Sequence, residues 1–318
     1  MKASSLRLLI ALPVLCLAGS LATRPDLETL RRAVNRGPES ETGPGGSLAG
    51  ALYRTVWAAY APTNFNPEAS PPVLPSEDSI REDLRTLRAF GFNGLVTYGA
   101  DVAAVPRIAE EVGFRHMLLG VWDPRNPQEI ERVKEAAASS RVLGIIVGNE
   151  GLMFRRYDLQ TLRKAMDDMR RQTGKPVSTT EVIESYFTTR ELVDWSDFLA
   201  VNAHPYFHQK RDPDQAVEWT VKAYENLVAR VPDKPVVFKE VGLPTRGAED
   251  VSEENQFRYY SLLSKTPVRF VYFEAFDALF KTGALEQSWG LFRADRTPKP
   301  AAWVPRVQAA WQGKASSR

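Results

Sequence analysis

Eight short apolar runs, separated by segments of helical periodicity, constrain this 318-residue chain more than any other feature. They are Val56–Tyr60, Gly94–Tyr98, His116–Val121, Val142–Val147, Val177–Thr180, Phe198–Asn202, Val236–Phe238 and Val268–Phe273. Several are almost unbroken in Val, Ile, Leu and Phe, as strands covered on both faces are. The segments between them carry helix punctuation. Ser79 and Glu82 read as a capping box ahead of Leu84 and Leu87, with Gly91 as the stop. Asn126-Pro127 supplies a cap and a first-turn proline. Asp158 opens a helix whose Leu159, Leu162, Met166 and Met169 share one stripe before Gly174, and Ser252 opens another. Strand–helix alternation of this kind demands parallel pairing with right-handed crossovers. Eight units over roughly 250 residues fit a closed (β/α)8 barrel, a TIM barrel. A doubly wound open sheet is the alternative. Its first turn is commonly Gly-rich to cradle phosphate, and Tyr60-Ala61-Pro62-Thr63 is not.

The two ends have a different character. Lys2 and Arg7 flank an apolar stretch from Leu8 to Leu21, shorter than the about 20 residues of a membrane span. With small residues near Ser20-Leu21-Ala22, residues 1–22 read as a secretory signal peptide, with an uncleaved membrane anchor as the rival. Either reading places the protein outside the cytoplasm, periplasmic or extracellular. Cys16, the single cysteine, lies inside this segment, and Leu15 before it does not suit lipid attachment. Residues 23–51 read as a Gly-, Pro- and Ser-rich linker with a short helix over Asp26 to Val34. The barrel then occupies 52–312, and 313–318 form a polar tail. A formal net charge of +2 without a basic cluster gives no basis for nucleic-acid binding. Three histidines argue against a His-rich metal site. His204 and His208 are four apart, but Pro205 between them breaks helical spacing, so neither metal nor cofactor is expected.

In a barrel of this kind chemistry collects where strands end. The successive runs end in Tyr60; Tyr98-Gly99-Ala100-Asp101; Trp122-Asp123; Gly148-Asn149-Glu150; Glu181; Asn202-Ala203-His204-Pro205-Tyr206; Lys239-Glu240; and Glu274-Ala275-Phe276-Asp277. Acids, amides and aromatic rings crowd one rim, an inventory that suits a sugar. Glu150 and Glu240 end the fourth and seventh strands and so face each other across the mouth. Glycoside cleavage needs two such carboxyls, one to protonate the leaving oxygen and one to attack or to activate water. Either glutamate alone reads equally as a solvated loop residue or half of a salt bridge. Lys239 adjoins Glu240, but neighbours along a strand point to opposite faces, so it is not expected to touch that carboxylate.

Three ordered motifs extend the reading. They are Gly148-Asn149-Glu150; Lys239-Glu240-Val241-Gly242-Leu243-Pro244-Thr245; and Tyr272-Phe273-Glu274-Ala275-Phe276-Asp277 leading to Glu286-Gln287-Ser288-Trp289-Gly290-Leu291-Phe292. In this order, from about Val56 to Phe292, the chain resembles glycoside hydrolase family 17, which holds β-1,3-glucanases, licheninases and glucan transglycosylases. The resemblance implies a (β/α)8 fold and a retaining mechanism, with Glu150 as acid/base and Glu240 as nucleophile. It implies that Asn149 holds the sugar 2-hydroxyl and that Tyr206 touches the nucleophile. It also implies that Lys281, Glu286 and Trp289 line the substrate cleft, and Phe276 and Asp277 of the strand-eight motif join that set. Lys281 and Glu286 could instead form an exposed ion pair of little worth. Tyr98 and Tyr60 are rim aromatics that either meet substrate or pack the mouth.

The chain also departs from the family pattern. Ala278 stands where many relatives have an acid, the loop Val241-Gly242-Leu243-Pro244 lacks a tryptophan before its proline, and His204 holds a place often given to another residue. These departures suggest a bacterial branch. The expected activity is a retaining cleavage of β-glucan, β-1,3-linked foremost. A glucan transglycosylase, a non-catalytic glucan-binding barrel and a membrane-linked assembly partner are the alternatives.

Overall fold

A computed structural model of the protein describes residues 48–99 and 103–305. The readings for residues 1–22, for the helix at Asp26, for Ala100 and Asp101 and for the tail at 313–318 lie outside them. Among the described residues no helix is long and apolar enough to cross a membrane.

Eight strands run in parallel: β1 (Trp57–Tyr60), β2 (Gly94–Thr97), β3 (His116–Val121), β4 (Val142–Asn149), β5 (Val177–Thr180), β6 (Leu199–Asn202), β7 (Val236–Val241) and β8 (Phe270–Tyr272). Their order in the sheet is β5-β4-β3-β2-β1-β8-β7-β6. Bonds from Asp197 N to Val177 O (2.8 Å) and from Asn202 N to Glu181 O (3.1 Å) bring β6 alongside β5 and close the barrel. The expected strands match these elements to within a few residues, and the largest difference is that β4 runs on to Asn149 and β7 to Val241.

The apolar side chains divide by strand parity, as alternation requires. Trp57, Ala59, Val96, Leu118, Ile146, Ala200, Val237 and Val271 fill the barrel interior. Ala58, Tyr60, Leu95, Met117, Leu119, Ile145, Val147, Val201 and Phe238 face the surrounding helices. The helix Leu48–Arg54 begins within the stretch read as linker. It forms there because Leu52 enters the interior cluster beside Trp57, with Leu48 packed against it.

The helix caps follow the side-chain chemistry of the sequence. Asn126, Asp158 and Ser252 each accept backbone N–H groups of the first turn, and Gly174 ends its helix at φ 66°. The helix Glu77–Ala89 is capped by Ser76 rather than Ser79. Ser76 accepts the Ser79 N–H, which sets Glu77 and Asp78 in the first turn, where their charge favours the helix dipole.

Gly148 lies at the C-terminal end of β4 with φ 81°. A Cβ there would run into the Tyr157 hydroxyl. Gly148→Ala is expected to lose about 2–4 kcal/mol of stability, from the left-handed backbone and the overpacking together. Denaturant unfolding checks this, and a loss under about 0.5 kcal/mol, the scale of a neutral surface change, would contradict it.

Candidate active site

Two register shifts build the mouth. On β4, Ile146 pairs with Ser178 but Asn149 pairs with Thr180, so β4 carries one residue more than β5 over the same span. The surplus includes Gly148, and it swings Asn149 inward. Glu150 follows with φ 54°, a conformation that costs a non-glycine residue about 1–2 kcal/mol. Its N–H is anchored on Thr180 O at 2.7 Å. The Glu181 carboxylate clamps the following loop by accepting Leu152 N (2.9 Å) and Met153 N (3.3 Å).

On β7, Val201 pairs with Phe238 and Asn202 pairs with Glu240, which leaves Lys239 as the unmatched residue of a bulge. Lys239 follows Val237 inward by parity, and the bulge then turns Glu240 inward as well. The expectation that Lys239 would point away from Glu240 is therefore corrected. Lys239 Nζ donates to Glu240 Oε1 at 2.7 Å and to Asn149 Oδ1 at 2.6 Å, and sits 4.3 Å from the centre of the Tyr98 ring. Both members of the Lys239–Glu240 pair are buried.

The other strand ends complete the surroundings. His204 Nε2 lies 3.1 Å from Glu240 Oε2 and donates to it, since the carboxylate can only accept. The Asn202 amide donates to Glu150 Oε1 at 2.9 Å. Glu274 is buried and receives Lys281 Nζ at 2.6 Å.

The electrostatics follow from these partners. Burial by itself would raise Glu240, but the Lys239 ammonium and the His204 imidazole outweigh it and hold the carboxyl at about 2. Glu150 moves the opposite way. Burial raises it first and the Glu240 charge second, against a weaker pull from the Asn202 amide. Glu274 is also raised, by burial above all, with Lys281 opposing. Burial pushes the Tyr98 phenol well above its ordinary value, and the charges of Glu240, Glu274 and Glu150 add to that. Tyr98, Glu150, Glu240 and Glu274 therefore share one electrostatic neighbourhood.

The remaining expected residues divide between this cluster and the scaffold. Asn149 and Tyr98 stand in the cluster. Tyr206 does not meet Glu240. It lies in the 3-10 turn Pro205–His208 against Trp289 and Phe207 with Arg211 over its ring, while His204 takes the place beside the carboxylate. Tyr60 faces outward by parity and donates to Asp83 Oδ2 at 2.9 Å, so it packs the wall of the barrel. Lys281 pairs with Glu274 and not with Glu286, which lies near Tyr206. Trp289 is buried among His204, Phe273, Tyr206 and Phe207, and so backs the site without offering a face to it.

Phe276 and Asp277 border a cavity of about 250 Å³ between the loops after β1 and β8. Asp277 Oδ1 accepts from Lys299 in a buried pair at 2.7 Å and from the Gly290 N–H. Asn202, His204, Lys239 and Glu274 are the cluster members that sequence reasoning did not single out. Three of them stood in its inventory of strand ends without a role. Lys239 was set aside by an alternation rule that the bulge breaks. Among the described residues no group of three or more acidic, histidine or cysteine side chains could hold a metal.

Comparison with known proteins shows the family and agrees with the fold. Residues 59–290 match the model of the BtgE/BtgC glycoside hydrolase domain. The chain is 25% identical over 281 residues to an Aspergillus niger protein provisionally named a glucan endo-1,3-beta-glucosidase, covering 73% of this chain and 40% of that one. It is 27% identical over 243 residues to a Saccharomyces cerevisiae protein provisionally named a family 17 glucosidase, covering 69% and 61%. It thus spans between two-fifths and about three-fifths of these curated relatives. An active-site mutant of Rhizomucor miehei beta-1,3-glucanosyltransferase, solved with laminaritriose, superposes with a TM-score of 0.65 at 26% identity, over 78% of this chain and 97% of that one.

Asp277 gives a test of scaffold against cleft. Asp277→Ala leaves the Lys299 ammonium buried without its carboxylate and should cost about 3–5 kcal/mol of stability. Urea unfolding measures it. Unchanged stability with a raised KM for glucan would return Asp277 to the substrate.

Proposed function

Because this chain belongs to the BtgE/BtgC glycoside hydrolase family, we propose that it cleaves or transfers β-1,3-linked glucan by double displacement, with Glu240 as nucleophile and Glu150 as acid/base. One observation carries the reading: two carboxyls of one mouth are driven in opposite directions, Glu240 down to about 2 and Glu150 up. A retaining enzyme needs that division, an ionised attacker beside a protonated donor.

In the first step a Glu240 oxygen bonds to the anomeric carbon while the bond to the leaving oxygen breaks, and Glu150 gives that oxygen its proton. Glu150 is then anionic and takes a proton from the acceptor, which attacks the same carbon and releases the Glu240 carboxylate. The Asn202 amide holds Glu150 Oε1, which fixes the carboxyl plane through both steps. Asn149 is held at its Oδ1 by Lys239, which leaves the amide NH2 end to meet the sugar 2-hydroxyl.

Water as acceptor gives hydrolysis and a sugar hydroxyl gives transfer. The likeness to a glucanosyltransferase over nearly its whole length favours transfer as the second reading. The basic, apolar start of the chain supports action outside the cytoplasm.

Glu240→Ala should abolish turnover of a β-1,3-glucan such as laminarin while unfolding stays cooperative, and full activity would remove the nucleophile assignment. Chromatography of the products at high acceptor concentration separates transfer from hydrolysis. Activity should fall at both ends of the pH range. As pH falls through the depressed value of Glu240 the attacker is protonated, and as pH rises through the raised value of Glu150 the donor is lost. On an activated aryl glycoside, whose leaving group needs no proton, Glu150→Ala should lose the basic limb and regain activity with azide. Retention of that limb without azide rescue would count against Glu150.

A further inference from the structure

Lys239 is the unmatched residue of the β7 bulge, and its ammonium is bonded to the Glu240 carboxylate from within the barrel. We propose that Lys239 is a positioning residue that governs the second step: it makes Glu240 a ready leaving group and so limits the lifetime of the glycosyl-enzyme. This rests on Glu240 being the nucleophile.

The argument is one of charge. Free Glu240 is an anion in contact with an ammonium that is itself 1% exposed. When Glu240 is joined to the sugar, the carboxylate becomes a neutral ester. Lys239 then keeps only the Asn149 amide oxygen among its two acceptors. A buried cation that loses its counter-charge is costly. The ester state is thereby raised in energy relative to the free carboxylate. As the bond from the anomeric carbon to the Glu240 oxygen breaks, the electron pair returns to the carboxylate, and the ammonium meets that charge as it develops. The same contact weakens Glu240 as an attacker, so Lys239 trades speed in the first step for speed in the second.

The other groups facing Glu240 do not duplicate this. His204, after β6, donates to the opposite oxygen, Oε2. Tyr98, after β2, brings a buried phenol beside Glu240, but a neutral hydroxyl supplies no counter-charge. Glu150 and Glu274, after β4 and β8, are carboxyls and oppose the charge on Glu240. Lys281 is committed to Glu274.

The test separates the two steps with a 2-deoxy-2-fluoro laminaribiosyl fluoride, which forms a slow glycosyl-enzyme. Inactivation measures the first step, and return of activity after removal of the reagent measures the second. In Lys239→Met, return should be at least about tenfold slower, which is about 1.4 kcal/mol of lost stabilisation of the departing carboxylate. Inactivation at neutral pH should be unchanged or faster, and the acid limb of kcat/KM should move to higher pH. Lys239→Arg, which keeps the charge, should return at close to the native rate. Should Lys239→Met not fold, labelled Lys239→Ala should regain activity faster when ethylammonium is added.

Parallel slowing of both steps, an unmoved acid limb, or no response to ethylammonium each overturns the proposal. Failure of the native enzyme to be labelled at Glu240 is a different result, and it would sink the nucleophile assignment itself.

Discussion

A carboxylate drawn out of water into the mouth of a barrel must either find positive charge or give up its own. Glu240 finds it, in Lys239 on one oxygen and His204 on the other. Much of the mouth follows from that compensation. Glu274, the next carboxyl around the rim, has an ammonium of its own in Lys281. Glu150 is given a neutral partner, the Asn202 amide, and carries the field of Glu240 besides. Three acids in one neighbourhood thus receive two ammonium groups. Burial raises both Glu150 and Glu274, the latter against the pull of Lys281, and only Glu240, with Lys239 and His204 together, is held low.

That allocation depends on backbone register. A regular β7 would send Lys239 inward and Glu240 out among the helices, and a regular β4 would do the same to Asn149. In each strand one extra residue restores the side chain, Asn149 or Glu240, to the interior. The β4 bulge also joins the two halves of the site, since Lys239, inward by parity, meets Asn149 only because that amide has been turned inward. The alternatives, carrying these groups on loops, would leave their positions to segments with fewer neighbours.

The architecture was legible because buried parallel strands write themselves as apolar runs, and eight of them with helical spacers leave little choice of fold. The rim was legible for the same reason, since whatever follows such a run lies at the mouth. Glu150 and Glu240 were found by that placement together with the motifs around them. What could not be read was anything set by a one-residue slip. Lys239 was rejected by sound alternation, and nothing in Val236-Val237-Phe238-Lys239-Glu240 announces the bulge. Partner choice was equally hidden. Lys281 could have served Glu286 or Glu274, and Tyr206 or His204 could have met the nucleophile. Tyr60 is the reverse case, because parity counted from Trp57 already turns it outward.

Charged groups near the mouth therefore fall into two kinds, and their partners tell them apart. Asp277 is tied through Oδ1 to Lys299 and the Gly290 N–H, and Asp83 through both oxygens to Tyr60, Thr63 and Arg296. Glu181 is the instructive case. Burial pushes its carboxyl up to about 7, a value that on its own would suit an acid catalyst. Yet it is fully buried and each of its oxygens accepts a backbone N–H of the loop after Glu150, so it is turned into the scaffold. Its work is mechanical: it fixes the loop leaving a residue whose own backbone is strained at φ 54°. A perturbed acid beside an active site is as readily a clamp as a catalyst. At this mouth the distinction lies in what the carboxyl bonds to: Glu181 holds backbone, whereas Glu240 meets the side chains of Lys239 and His204.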